Sequence, residues 1–213
     1  MTFTEPSKDC DLCPRLRGFL LELRESHPDY FNAPVPSFGD PDPELLIIGL
    51  APGMHGANRT GRPFTGDWAG DLLYGAINEH GFSTGTYGAE ADDGLKLRGA
   101  MITNAVRCLP PQNKPIAAEV NQCRPFLTDQ IASLKSLKAI LTLGKISHDS
   151  TIRGLSLKLR DYPFGHHKTY KIQRGITLYS SYHCSRYNTN TKRLTEKMFY
   201  DVFNDIRKLI SEN

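Results

Sequence analysis

The 213-residue sequence lacks long hydrophobic stretches, and none approaches the roughly 18 consecutive apolar residues that a membrane-spanning helix requires. Its first residues, MTFTEPSKDCDLCP, lack the basic-then-apolar order of a signal peptide. The sequence also lacks internal repeats and low-complexity tracts. We therefore expect one cytoplasmic domain over residues 1–213, large enough for a full hydrophobic core, with no membrane partner.

The sequence has little excess of either charge, with a net charge of +3, but the charge is unevenly distributed. Residues 151–213 carry 12 Lys and Arg against 5 Asp and Glu. A basic C-terminal third favours a polyanionic partner such as nucleic acid, and it is equally typical of a solvated basic surface.

Helical and strand patterns alternate along the chain. Helical spacing of apolar residues occurs in four segments, 13–28, 67–81, 117–134 and 191–212. Continuous apolar runs predict strands over 43–51, 97–108 and 137–144, and residues 155–183 hold two or three more. The alternation predicts an α/β fold with a central, mostly parallel sheet flanked by helices. Since ligands bind at the carboxyl ends of such strands, the segments that follow Gly49, Ile102 and Tyr179 are expected to converge on one site.

Five cysteines are present, and four of them form two spaced pairs, Cys10 with Cys13 and Cys108 with Cys123. Four thiolates in two clusters suit a four-coordinate metal site, although ordinary buried cysteines are an alternative and disulfides are disfavoured in the cytoplasm. Spacing alone does not separate a zinc ion from an iron–sulfur cluster. The fifth residue, Cys184, is interpreted as a packed or loop thiol.

A glycine-rich loop, GLAPGMHGANRTGRPFTGDWAG, spans residues 49–70. It is not a P-loop, because no Gly-Lys-Ser/Thr follows, and it is not a dinucleotide fingerprint, because no G-x-G-x-x-G opens a helix. The remaining interpretation is a loop whose backbone approaches a ligand closely, with Phe64 offering a flat apolar face. Taken alone, Phe64 is more ordinarily a core residue.

A second polar segment, SSYHCSRYNTNTKRLT, follows a predicted strand at residues 180–195. A single histidine in such a position is usually structural. His183, however, lies among polar and basic residues at a chain turn, and this favours a functional site.

Together, the segments GLAPG, NRTGRPFTGD, NAVRC and SYHCS make the chain resemble the family 5 uracil-DNA glycosylases. The related family 4 enzymes share the G-x-A-P-G and G-R-P-F-x-G frame and the four cysteines. The resemblance runs from Cys10 through the C-terminal helix. It implies a three-layer α/β/α sandwich around a four-stranded, mostly parallel sheet.

The resemblance also implies an activity and a cofactor. The activity is monofunctional hydrolysis of the N-glycosidic bond of uracil in DNA, and of other damaged bases such as hypoxanthine, xanthine and ethenocytosine. The cofactor is a structural [4Fe-4S] cluster on Cys10, Cys13, Cys108 and Cys123, which would tie an N-terminal arm, residues 1–40, to the body.

Residue roles follow from the same resemblance. Phe64 would stack on an extruded base, Asn104 would read its edge, and His183 would stabilise the departing anion. The base-binding residues are then Gly49, Leu50, Ala51, Pro52, Gly53, Phe64 and Asn104. The DNA-binding residues are Ser185, Arg186, Tyr187, Asn188, Lys192 and Arg193, with Arg186 and Tyr187 large enough to fill the gap in the duplex.

The group that activates water is less well defined by the sequence. Related glycosylases carry a polar residue where this chain has Ala51, so we expect Asn58 to position the water. Asp67 is the nearest carboxylate in the motif and is an alternative, although a helix cap is its first expected role, and the sequence also allows that neither residue activates water. Cys184 replaces a proline usual in the family, which relaxes the loop that carries His183.

Two alternatives differ in class from a glycosylase. One is a non-catalytic nucleic-acid-binding protein of the same fold with a structural iron–sulfur cluster, and the other is a redox iron–sulfur protein. We expect a monomer that binds double-stranded DNA with a deaminated base, and the sequence leaves single-stranded DNA open as a further substrate.

Overall fold

A six-stranded sheet forms the centre of the computed structural model, which describes residues 3–212. Residues 1, 2 and 213, at the ends of the predicted domain and arm, lie outside the described part. Eight strands occur in chain order: β1 (Phe38–Gly39), β2 (Leu45–Gly49), β3 (Ser83–Thr84), β4 (Lys96–Leu97), β5 (Ala100–Asn104), β6 (Ala139–Leu143), β7 (Lys168–Lys171) and β8 (Thr177–Ser181). The sheet order is β1-β5-β2-β6-β8-β7, and β3 pairs separately with β4.

In the described part of the chain, seven α-helices surround the sheet: α1 (Pro14–Ser26), α2 (Ala57–Thr60), α3 (Trp68–Glu79), α4 (Ala117–Ser133), α5 (Lys145–Gly154), α6 (Arg186–Asn190) and α7 (Glu196–Glu212). Alternate residues of β2 point to opposite faces, as strand geometry requires. Leu45 and Ile47 join a core with α3 and α7, whereas Leu46 and Ile48 join a core with α4 and α5. The predicted three-layer α/β/α sandwich is therefore confirmed.

The four central strands, β5, β2, β6 and β8, are mutually parallel, as the sequence predicts. The sheet has two antiparallel edge strands beyond the four that the resemblance implies, β1 against β5 and β7 against β8. Of these, β7 lies within residues 155–183, where two or three strands are predicted, and β1 was not predicted. Because β1 has only two residues, its apolar pattern is too short to be recognised from the sequence. The structure also contains α5, a helix that no predicted segment covers.

The carboxyl ends of the parallel strands lie at one edge of the sheet. Gly49 pairs in register with Asn104, and Leu143 pairs with Ser181. The loops after β2, β5 and β8 consequently leave the sheet side by side, and this places the glycine-rich loop next to the segment that carries His183.

Ion pairs hold the N-terminal arm on the body. Glu5 lies 2.9 Å from the buried guanidinium of Arg107, and Arg15 at the start of α1 lies 2.7 Å from Glu119 of α4. Burial lowers the pKa of Arg107, and the nearby Glu5 carboxylate opposes that shift. Across residues 3–212, no helix has both the length and the apolar character needed to cross a membrane.

Candidate active site

A cleft of about 610 Å³ opens at the carboxyl edge of the parallel strands. Its walls come from the start of the glycine-rich loop, the segment 64–69, the end of β5, the start of α5 and the segment after β8. Most of the predicted base- and DNA-binding residues line it: Leu50, Ala51, Pro52, Gly53, Phe64, Asn104, His183, Ser185, Arg186, Asn188 and Arg193. Three distant parts of the sequence thus meet in one cavity.

Gly49 lies directly behind two of these side chains. A Cβ atom on Gly49 would overlap Asn104 Oδ1 and would lie 2.6 Å from the Phe64 ring. A side chain at this position would therefore displace both the amide and the aromatic ring. Gly49 supports the cleft without lining it.

Phe64 has an uncommon backbone conformation for a residue with a side chain, with φ at 54°. Its carbonyl oxygen accepts a hydrogen bond from the Tyr87 hydroxyl at 3.3 Å, and it lies so close to Gly70 that a Cβ there would overlap it. The ring is 7% exposed and faces the cleft. These contacts hold the chain in the left-handed region and turn the ring toward the site.

His183 lies next to Phe64, with the two rings stacked at a centroid distance of 5.8 Å and an interplanar angle of 25°. Burial lowers the pKa of His183 to about 4, so the imidazole is neutral at pH 7. Asn188 Nδ2 donates to the His183 carbonyl at 2.8 Å, and Ser185 caps α6. Two residues that we predicted as DNA contacts therefore also hold the histidine loop.

Cys184 is fully buried, and its thiol donates to the Ala69 carbonyl at 3.5 Å. Burial raises the pKa of this thiol. The interpretation as a packed thiol is confirmed. The contact with Ala69 anchors the loop at the position where the family usually has proline.

Two polar atoms in the cleft, Asn104 Oδ1 and His183 Nδ1, are buried and have no hydrogen-bond partner among residues 3–212. Buried polar atoms are nearly always paired in folded proteins, so unpaired ones call for an explanation. An amide and a neutral imidazole beside an aromatic ring have the chemistry needed to bind a flat heterocycle that carries donors and acceptors at its edge.

Asn58, the predicted water-positioning residue, is fully buried and does not line the cleft. Its Nδ2 donates to Asn32 Oδ1 at 2.8 Å, and its backbone N–H donates to the Gly53 carbonyl at 3.0 Å. Its Oδ1 has no partner within the described part of the chain. The structure thus places Asn58 beneath the loop that forms the cleft wall.

Asp67 does line the cleft, and within residues 3–212 it is the only carboxylate that does. Its Oδ1 accepts from the Gly70 N–H at 3.0 Å, which confirms the predicted helix cap. Its Oδ2 lies under the glycine-rich loop, 2.5 Å from where a Cβ on Gly56 would be. Burial raises the pKa of Asp67, against hydrogen bonds from Gly70 and Ala69 that lower it.

The remaining predicted DNA contacts differ in position. Tyr187 is 72% exposed and Lys192 is exposed, and neither lines the cleft. Arg193 lies over the Tyr182 ring at 4.5 Å. The sequence analysis missed several wall residues, namely Trp68, Lys145, Ile146, Phe164 and Tyr182. Two of them belong to α5, which had no apolar pattern to reveal it.

The four predicted ligand cysteines line one small cavity with apolar walls that include Leu16 and Val106. Burial and the neighbouring thiols raise the pKa of Cys13 to about 11. Within the described residues, no three His, Cys, Asp or Glu side chains form a group able to hold a single metal ion. A single tetrahedral metal ion lies about 2.3 Å from each of four sulfurs, so those sulfurs must be close to one another. An iron–sulfur cluster binds each thiolate through a different iron, so its four sulfur ligands lie further apart. The four thiols that line this cavity form an all-sulfur donor set of the kind that can hold an iron–sulfur cluster.

Comparison with known proteins identifies the class to which this fold and cleft belong. Residues 36–207 match the uracil DNA glycosylase superfamily, and the chain belongs to that superfamily. Within it, the chain is 39% identical to the type-5 uracil-DNA glycosylase of Thermus thermophilus, over 97% of this chain and 96% of the relative. It is 40% identical to the type-5 enzyme of Mycobacterium leprae, over 94% and 91% of the two chains. A type-4 uracil-DNA glycosylase from Saccharolobus solfataricus is 32% identical over 79% of this chain and 74% of the relative.

Proposed function

We propose that this protein is a monofunctional uracil-DNA glycosylase that hydrolyses the N-glycosidic bond of deaminated bases and so initiates base excision repair. The observation that carries the proposal is the meeting of Phe64, Asn104 and His183 around one cleft, with two buried polar atoms that have no hydrogen-bond partner among residues 3–212. The type-5 names of the relatives support the same activity.

The substrate base must leave the duplex to reach such a cleft, since its reacting atoms are inaccessible in the stack. Phe64 supplies a stacking face, and Asn104 supplies both a donor and an acceptor for the edge of uracil. The cleft volume falls within the roughly 300–1,000 Å³ typical of ligand sites. Ala51 projects little side chain into it, and this supports the proposal that hypoxanthine, xanthine and ethenocytosine also enter.

Bond cleavage separates the sugar C1′ from the base nitrogen, and the electron pair leaves with the base. A neutral His183 stabilises that anion as a hydrogen-bond donor, together with main-chain N–H groups of residues 50–53. Burial would penalise a charged imidazolium, and this penalty lowers the pKa of His183 to about 4, so that the ring is neutral at pH 7. Removing one preorganised donor typically slows such reactions by about 10²–10³.

For water activation, we propose Asp67 as the general base, because its carboxylate lines the cleft and its Oδ2 is not the atom that caps α3. Burial moves its pKa upward, and this makes it a better base near neutral pH. The attacking water gives its proton to Asp67 as its oxygen bonds to C1′. The prediction that Asn58 positions the water stays open, although its burial outside the cleft supports it less well.

We further propose that Cys10, Cys13, Cys108 and Cys123 hold a [4Fe-4S] cluster with a structural role. Support comes from the shared cavity and its all-sulfur donor set. When bound, the cluster supplies a cross-link between the N-terminal arm and the body, and no step of the reaction needs it.

The partner is DNA in the cytoplasm, bound by a monomer. Exposed Arg186, Lys192 and Arg193 near the cleft support contact with backbone phosphates, which should make binding salt-dependent. We propose double-stranded DNA with a deaminated base as the main substrate and single-stranded DNA as a second. Light scattering of the purified protein tests whether it is a monomer.

The test of the proposed function compares wild type with His183→Ala on duplexes that contain one uracil. Wild type should release uracil, and the variant should lose most turnover while its DNA affinity stays similar. A wild-type protein that binds the duplex and releases no base would support the non-catalytic alternative. Duplexes with hypoxanthine, xanthine or ethenocytosine measure the breadth of the substrate range in the same assay.

A second pair of variants separates the two water-activating residues. Asp67→Asn keeps the helix cap, because Asn and Asp cap helices equally well, and it removes the base. We expect it to lose about 100-fold or more in rate with an unchanged melting temperature. A large loss of rate in Asn58→Ala with none in Asp67→Asn would assign the role to Asn58.

A further inference from the structure

Trp68 is the only tryptophan of the chain, and it stands at the edge of the cleft. It is the first residue of α3, directly after Asp67, and its side chain is 48% exposed. A large aromatic ring that stays half exposed at the mouth of a binding site gains little from folding alone. Such rings are typical of surfaces that bind another molecule.

Two contacts from α6 hold the indole in place. Its Nε1 donates to Thr189 Oγ1 at 3.1 Å, and the Arg186 guanidinium carbon lies 5.2 Å from the ring centroid. The ring is therefore fixed between two segments of the site, α3 and α6. It presents a positioned aromatic surface next to a positive charge.

The charges around Trp68 favour an anionic ligand. Arg186 and Arg193 line the cleft, and Lys192 is exposed close by in sequence. Asp67 is the only carboxylate of the described cleft wall, and it is half-buried and engaged with the N-terminus of α3, whereas exposed Asp71 lies one turn further along α3 and outside the cleft. A ligand that combines flat rings with negative charge matches this surface, and a DNA strand has both.

We propose that Trp68 and Arg186 form a stacking subsite for the nucleobase that neighbours the extruded one. The proposal rests on the proposed function, since it places the extruded base against Phe64. When one base leaves the stack, its neighbour loses a stacking partner, and the indole replaces that partner. Because every base has an aromatic face, the subsite accepts any sequence and also serves single-stranded DNA.

The single tryptophan makes the subsite directly observable, because stacking on a nucleobase quenches indole fluorescence. The full-length protein is titrated with a dye-labelled single strand that carries one tetrahydrofuran abasic site, and dye anisotropy reports binding. Two further strands also lack the base on the 5′ side or on the 3′ side of that site. At saturating DNA, we expect the first strand to quench the tryptophan fluorescence strongly and one of the other two strands to quench it little. Equal quenching by all three strands, or none by any, would overturn the subsite.

Variants test the energetic role. Trp68→Leu should bind the abasic strand about tenfold more weakly, and Trp68→Phe should keep most of the affinity. The control is Leu21→Ala, which removes an exposed apolar side chain of α1 outside the cleft, and it should stay within about twofold of wild type. If Trp68→Leu binds the abasic strand as tightly as this control does, the indole contributes nothing to DNA binding, and the proposal fails. If a variant does not fold, fluorescence quenching of the wild-type protein by the three strands still tests the proposal.

Uracil release measured on the same samples separates this proposal from the proposed function. A protein that shows neighbour-dependent quenching but releases no uracil keeps the subsite and is not a glycosylase. An active enzyme whose tryptophan fluorescence ignores the neighbouring base is a glycosylase without the subsite.

Discussion

Asn104 and Phe64 meet above Gly49, at the point where β2 ends. Both side chains use the space that a side chain on residue 49 would fill, because a Cβ on Gly49 would overlap Asn104 Oδ1 and come within 2.6 Å of the Phe64 ring. The amide that would read a base and the ring that would stack on it thus share one support.

Gly49→Ala should consequently impair base binding without unfolding the protein. We expect a loss of about 100-fold in kcat/KM, because both side chains must move from their positions in the cleft. Kinetics with a uracil duplex, together with circular dichroism, measure the effect. Gly18→Ala is the matched control, since no atom lies within 4 Å of a Cβ on Gly18 in α1. This control should keep full activity and gain about 0.5–1 kcal/mol of stability. Full activity in Gly49→Ala would show that the cleft does not depend on this spacing.

Stability should fall in acid partly because of His183. Its pKa is lowered to about 4 in the folded state, so the unfolded chain takes up a proton first, as the pH falls through the unfolded value of 6.5. The free energy of unfolding should therefore decrease between about pH 6.5 and pH 4. Burial also lowers the pKa of His148 and His166, so wild type alone does not isolate the effect.

The comparison with His183→Gln isolates the His183 contribution, because glutamine does not titrate. Denaturant unfolding from pH 7 to pH 4.5 should show a shallower decline in the variant. Parallel curves for the two proteins would mean that His183 titrates normally in the folded state.

Arg62 and Asp93 form a buried ion pair at 2.6 Å, with side chains only 4% and 6% exposed. The Arg62 guanidinium holds the pKa of Asp93 well below its usual range. Asp93→Asn leaves a buried charge without its partner and should cost about 3–5 kcal/mol in the free energy of unfolding. The exposed pair Lys197–Asp201 is the control, and Asp201→Asn should cost less than about 1 kcal/mol. Similar costs for both substitutions would contradict the role of burial.

A cluster on the four cysteines should give the purified protein the broad visible absorption of iron–sulfur proteins. The double variant Cys10→Ser and Cys13→Ser should lose this colour and unfold at a lower temperature, because the arm loses a cross-link. Cys184→Ala removes a buried thiol outside the set and should stay coloured. A colourless wild type with stoichiometric zinc would assign the site to a single ion instead.

Continuous apolar runs predicted the four parallel strands, which are buried throughout, and helical spacing of apolar residues predicted the four long helices. It missed α5 because that helix buries polar residues. Ser147 Oγ donates to the Leu143 carbonyl at 2.9 Å, and His148 Nδ1 pairs with Ser180 Oγ at 2.8 Å. Satisfied polar contacts of this kind leave no hydrophobic stripe in the sequence.

The site was foreseen in part for a related reason. Strand ends of a parallel sheet must meet at one edge, so the convergence of Phe64, Asn104 and His183 follows from their positions in the sequence. Whether a residue of the loop is buried beneath it or faces the cleft cannot be predicted from its position in the sequence. Asn58 and Asp67 lie nine positions apart in one glycine-rich loop, and only the folded path of the loop puts the first beneath the surface and the second in the cleft.

The pairing of Glu5 with Arg107, and of Arg15 with Glu119, has a consequence for biosynthesis. About a hundred residues separate the members of each pair, so Glu5 and Arg15 leave the ribosome well before their partners have been translated. During that interval α1 lacks these partners and its apolar contact with Leu109, so part of its apolar face stays open to chaperones. Slowing translation before residue 107 should lengthen this exposed period.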